Sequence, residues 1–124
     1  MQLIDKEVER LEKQGLVRPS FSSWSSRTVL VPRKSGNPSL CIDYRPLNSI
    51  TQKDKYPIPN VQLCIQTLNE SKYFTPLDMN QAFHQIGLDE ESIPKTAFLT
   101  PSGRFYEYLV VPYGVILVRV FREQ

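Results

Sequence analysis

The sequence predicts an α+β fold, and three observations carry that expectation. Residues 3–14 place Ile4, Val8 and Leu11 at helical spacing. Two later stretches, 28–44 and 95–111, alternate around Gly- and Pro-containing turns as hairpins do. Ten prolines against five glycines favour short strands and extended connections over long helices. A chain of 124 residues has room for one domain with a modest core.

In the first helix Lys6, Glu7, Glu9, Arg10, Glu12 and Lys13 occupy the solvated face. Gly15 stands where a C-terminal cap is expected, and Pro19 prevents resumption. A polar loop with two aromatic anchors, Phe21 and Trp24, follows. Residues 28–33 read as a strand with Val29 and Val31 on one face and Leu30 on the other. Lys34 to Asn37 is a turn by composition, and Pro38 to Tyr44 is the returning strand. This hairpin concentrates Arg27, Arg33, Lys34 and Arg45 against Asp43 alone. With a net charge of +2, any footprint for nucleic acid has to be local, and this is the local concentration.

Residues 46–55 read as connection, and Tyr56 to Pro59 as extended because of its two prolines. Val61, Ile65 and Leu68 mark a short amphipathic helix ending near Asn69. Tyr73 to Leu77 reads as a strand delivering Asp78. That carboxylate either caps a following helix or lies at a sheet edge, where it can meet solvent, metal or substrate. Ser92-Ile93-Pro94 interrupts the chain before the second hairpin: Lys95–Thr100, a turn at Pro101-Ser102-Gly103, and Arg104–Val111. Large side chains on both faces of this last strand predict that both are covered.

Cys41 and Cys64 have no Cys-x-x-Cys spacing and read as buried free thiols. No apolar run reaches membrane-spanning length, and the charged N-terminus lacks a signal-peptide core. The expectation is an intracellular protein, cytoplasmic or nuclear.

Six stretches then coincide, in order and spacing, with one family. They are Val31-Pro-Arg-Lys-Ser-Gly36, Cys41-Ile-Asp-Tyr-Arg-Pro-Leu-Asn48, Tyr56-Pro-Ile-Pro59, Leu77-Asp-Met-Asn-Gln-Ala-Phe-His-Gln-Ile86, Ile93-Pro-Lys-Thr-Ala-Phe98 and Val111-Pro-Tyr-Gly114. The chain resembles reverse transcriptases, in particular the RNA-directed DNA polymerase of gypsy-type long-terminal-repeat retrotransposons within a Pol polyprotein. The resemblance covers roughly residues 3–114. It implies the fingers and first part of the palm over 1–114, with 115–124 a divergent tail.

It further implies that Asp78 is the first catalytic carboxylate and that the Met79 carbonyl is a neighbouring metal ligand. Paired divalent ions, usually magnesium, serve such enzymes. Arg33 or Lys34 resembles the cation that clamps the triphosphate. Phe83 matches the aromatic that packs beneath the incoming sugar and collides with a ribose 2′-hydroxyl; by itself it reads equally as a core Phe. Tyr113 matches a residue lining the nucleotide pocket, and Arg45 falls near the template strand, with Asp43 orienting it; Arg27 of the basic hairpin is the second candidate for binding nucleic acid. The lone His84 reads as a packing residue rather than a metal ligand. Implied partners are an RNA or DNA template-primer and deoxynucleoside triphosphates.

Four departures matter. Ser39 stands where the family carries a triphosphate-gripping arginine, offering one neutral donor for a bidentate cation. Pro76 removes a ladder donor from the expected strand before Asp78. Residues 115–124 follow no family pattern. No Asp-Asp pair occurs, so two of the three expected catalytic carboxylates are absent. The expectation is therefore a polymerase fragment, inactive alone and self-associating through an exposed palm face. The alternatives are a non-catalytic nucleic-acid-binding remnant or a relic without function.

Overall fold

Helix α1 (Gln2–Lys13) buries Ile4, Val8 and Leu11, the residues whose spacing predicts it. It ends in a Schellman motif. The Gly15 N–H donates to the Glu12 carbonyl, and the Leu16 N–H to the Leu11 carbonyl, each at 3.0 Å. Gly15 takes φ +74°, a left-handed conformation that a side chain would strain. The structure is a computed structural model describing residues 2–36, 38–51 and 59–115.

Five strands form one mixed sheet in the order β1 (Val17–Pro19), β5 (Phe105–Tyr108), β4 (Phe98–Leu99), β2 (Ser26–Val31), β3 (Ser39–Asp43). The β2–β3 hairpin pairs Val31 with Ser39 and Arg27 with Asp43, and β4 joins β2 in parallel through Ser26 and Phe98. Leu30 packs against the core while Val29 and Val31 face solvent. Strand β1 is not legible in the sequence. It pairs Val17 with Tyr108 and Pro19 with Tyr106, and its place at the edge lets the sheet tolerate a proline. The core joins the α1 stripe to Val17, Ile42, Tyr44, Leu47, Phe98, Tyr106 and Tyr108.

Several expectations are corrected. Part of the connection at 46–55 is a helix, α2 (Arg45–Ile50), with Pro46 in its first turn and Leu47 buried. Proline suits that position because the first helical N–H groups have no partner anyway. The strand expected over Lys95–Thr100 is shorter: Ile93–Thr96 form a 3₁₀ turn, and pairing is confined to Phe98–Leu99. The second strand does have both faces covered, with Tyr106, Glu107 and Tyr108 all buried. Neither thiol is fully buried: Cys41 is half-buried and Cys64 exposed.

The largest correction concerns residues 61–80. Helix α3 (Val61–Thr67) forms as expected, with the Asn60 side chain accepting from the Gln62 N–H at 2.9 Å. Its apolar residues Val61, Leu63 and Ile65 are nevertheless exposed. The strand expected over Tyr73–Leu77 is not formed; Tyr73 is 94% and Leu77 91% exposed. A strand persists only where a neighbour takes its hydrogen bonds. Among the described residues none does, and Pro76 has no N–H to offer. Asp78 caps no helix, since the next element is a 3₁₀ turn at Ala82–Gln85 led by Gln81 at φ +45°. The extension expected at Tyr56–Ile58 and the tail beyond Val115 lie outside the described residues. No helix among those described is long and apolar enough to cross a membrane.

Candidate functional site

Two backbone pairings build the site. Beyond β5 the chain continues through Leu109–Val111, and Ile86–Leu88 runs antiparallel to it. The Leu88 N–H donates to the Leu109 carbonyl and the Val111 N–H to the Ile86 carbonyl, each at 2.9 Å. Phe83, three residues before Ile86, is thereby set beside Tyr113, two residues after Val111. Their rings meet edge-on, centroids 5.7 Å apart at 76°, the arrangement aromatic quadrupoles favour. The second pairing is the β2–β3 hairpin, whose turn end carries Arg33 and Ser39 on opposite sides of the turn. The Arg33 Nη2 donates to the Ser39 Oγ at 2.8 Å.

These groups line one cavity of about 470 Å³, as do Glu7, Arg10 and Leu11 of α1 together with His84 and Tyr108. That volume lies in the range that accepts a small organic ligand. Of the nine candidate residues, Arg33, Ser39, Phe83 and Tyr113 line it; Lys34, Arg27, Arg45, Asp78 and Met79 do not.

The cations differ in how much charge they leave free. Arg45 is closed onto Asp43: Nε to Oδ1 and Nη2 to Oδ2, each 2.8 Å, with the Arg45 N–H also reaching Oδ1 at 3.2 Å. These hydrogen bonds from Arg45 hold the Asp43 carboxyl at about 2, and Arg27, its direct cross-strand partner, adds a smaller contribution. Arg10 pairs with Glu7, Arg18 with Glu107 and Arg104 with Glu9. Among the described residues Arg33 forms no such ion pair.

The sequence reads the charged face of α1 as solvated, whereas Glu7 and Arg10 of that face line the cavity; their i,i+3 spacing is the available signal. His84 lies half-buried 6.2 Å from the Tyr108 ring, and its buried Nδ1 has no hydrogen-bond partner among the described residues. Burial lowers the His84 pKa from its ordinary value, with a smaller push from the Arg10 charge. Tyr108 is shifted upward, chiefly by burial.

The family's divalent ions find an incomplete donor set here. Asp78 and Met79 are exposed on an unpaired segment, and the described residues include no group of three His, Cys, Asp or Glu placed to hold a metal. One carboxylate and one backbone carbonyl do not fit a pair of ions about 4 Å apart.

The chain is similar over 117 residues to the retrovirus-related Pol polyprotein from transposon 297 of Drosophila melanogaster, with 45% identity across 90% of this chain and 11% of that polyprotein. It is 39% identical over 118 residues to the Pol polyprotein from transposon gypsy of the same fly, again across 90% of this chain and 11% of the relative. It thus spans about a tenth of the length of these relatives. Among solved structures, the foamy viral protease–reverse transcriptase dRH in complex with double-stranded DNA superposes with a TM-score of 0.76 at 25% identity, over 93% of this chain and 20% of that one. Residues 31–118 match the reverse transcriptase (RNA-dependent DNA polymerase) family. The mixed sheet with its flanking helices is accordingly part of the reverse-transcriptase fold, and this chain belongs to the reverse transcriptase family as a segment of the retrotransposon Pol type.

Proposed function

We propose that this segment supplies the nucleotide-facing half of an RNA-directed DNA polymerase site. In template-directed nucleotidyl transfer the primer 3′-oxygen bonds to the α-phosphorus of a deoxynucleoside triphosphate and pyrophosphate leaves. The observation that carries the reading is convergence: Arg33, Ser39, Phe83 and Tyr113, spread over some 80 residues of sequence, line one cavity.

In this reading Arg33 binds the triphosphate, with Lys34 beside it in the exposed turn. Phe83 and Tyr113 form an aromatic wall for sugar and base. Stacking on such walls tolerates any base, as a polymerase requires. Arg27 and Arg45 face the template-primer backbone. Asp78 is the first catalytic carboxylate and the Met79 carbonyl its neighbour for magnesium; this chain alone does not complete that metal site. Double-stranded DNA bound by the foamy viral relative supports nucleic acid as the partner class.

Titration of the chain with dTTP, followed by saturation-transfer NMR, tests the reading. Arg33→Ala should weaken binding roughly tenfold through loss of a charge-assisted contact, and Tyr113→Ala should reduce transfer to the thymine protons. Binding that ignores both changes, or no binding at all, would overturn it. The chain alone should not extend a primer on an RNA template; incorporation abolished by Asp78→Asn would contradict that part.

A further inference from the structure

We infer that Ser39 is a positioning residue, whose hydroxyl holds the Arg33 guanidinium at the cavity mouth as a preorganised and un-neutralised anchor for a polyphosphate. The inference rests on the nucleotide reading above and assigns Ser39 a task other than direct contact with the ligand.

Arg33 is pinned at both ends. Its carbonyl accepts from the Gly36 N–H at 3.1 Å, closing the turn that Gly36 permits with φ +92°. Its guanidinium reaches back across the hairpin to the Ser39 Oγ at 2.8 Å. A long side chain otherwise loses much rotamer freedom when it grips an anion; here part of that loss precedes binding.

The partner's chemistry matters as much as its place. Arg10, Arg18, Arg45 and Arg104 are each turned toward a carboxylate, which holds the cation but cancels its charge. A hydroxyl accepts one N–H, leaves the other four free and keeps the full positive charge. Ser39 is half-buried while Arg33 is exposed, so the tether is fixed in the strand and the cation faces incoming ligand. Lys34, the adjacent cation, does not line the cavity.

The test measures binding of tripolyphosphate, dTTP and dTMP to the chain and to Ser39→Ala, Ser39→Thr, Ser39→Asp and Arg33→Ala. Ser39→Ala should weaken tripolyphosphate and dTTP about three- to ten-fold, as expected for one partly exposed hydrogen bond to a charged group, and leave dTMP little changed. Ser39→Thr, which keeps the hydroxyl, should restore affinity. Ser39→Asp should weaken binding more than Ser39→Ala because it neutralises the anchor. ¹⁵N relaxation of the Arg33 side chain should show it loosened in Ser39→Ala with the rest of the chain unaltered. Undiminished triphosphate binding in Ser39→Ala, alongside loss in Arg33→Ala, would refute the inference and leave the nucleotide reading standing. Absence of triphosphate binding by the unaltered chain would overturn both.

Discussion

Asp43→Asn is the most informative single change, because it alters the number of free cations without altering the backbone. Arg45 stands 89% exposed beside the basic hairpin, yet its Nε and Nη2 both donate to the Asp43 carboxylate at 2.8 Å. Of Arg27, Arg33, Lys34 and Arg45, three are therefore available to neutralise phosphates. On a single strand the log–log dependence of affinity on salt is about 0.7 per phosphate, so the slope should be about −2. Asparagine preserves the side-chain oxygen that accepts from the Arg45 N–H at 3.2 Å, keeping the start of α2 in place. It removes the charge that holds the guanidinium and relieves Arg27, directly opposite. With four cations free the slope should steepen to about −3. Between 50 and 200 mM salt the unaltered chain should lose about 20-fold in affinity and Asp43→Asn about 50-fold. Anisotropy of a labelled oligodeoxythymidylate across that range reads both numbers, and at low salt the variant should bind more tightly. An unchanged slope would mean that Arg45 takes no part in binding nucleic acid; a shallower one would refute the charge-counting argument altogether.

Three further outcomes are expected. Phe98→Ala should cost about 3–5 kcal/mol in denaturant melts, because Phe98 is 0% exposed and its ring lies 5.4 Å from Tyr108 and 6.1 Å from Tyr106; a loss under about 1 kcal/mol would place the core elsewhere. The His84 ring, followed by NMR, should titrate below the ordinary histidine value because burial disfavours its charged form. Its folded pKa being lowered, it should favour unfolding as pH falls below about 6.5, and that stability should return as pH rises through the same window; a midpoint at or above the ordinary value would contradict the burial. Finally, Leu63 and Leu77 are both exposed in the apolar 61–80 stretch, so the chain should self-associate and Leu63→Lys with Leu77→Lys should shift it toward monomer in sedimentation velocity, whereas a monomeric unaltered chain would refute that expectation.

The features legible in the sequence are those decided within a few residues. The 3.6-residue spacing of Ile4, Val8 and Leu11 makes α1 one-sided, and Gly15 ends it because only glycine takes φ +74° without strain. The turns at Gly36 and Gly103 define both hairpins for the same reason. Family motifs likewise make Arg33, Phe83 and Tyr113 candidates, since each lies in a short run that reads without knowledge of its neighbours, and Ser39 stands out as a departure from the family pattern between two such runs. Features that depend on a distant partner were decided by the tertiary structure. Tyr73–Leu77 has the side chains of a strand but among the described residues no neighbour to take its hydrogen bonds, while Val17–Pro19 is a strand because Tyr106–Tyr108 lies beside it. The cavity exists because Ile86–Leu88 pairs with Leu109–Val111 and brings Phe83 to Tyr113. Charge was the least legible property. Arg33 and Arg45 are identical residues in one basic hairpin, and what separates them is the acceptor each guanidinium reaches: a neutral hydroxyl that leaves its charge intact, or a carboxylate that cancels it.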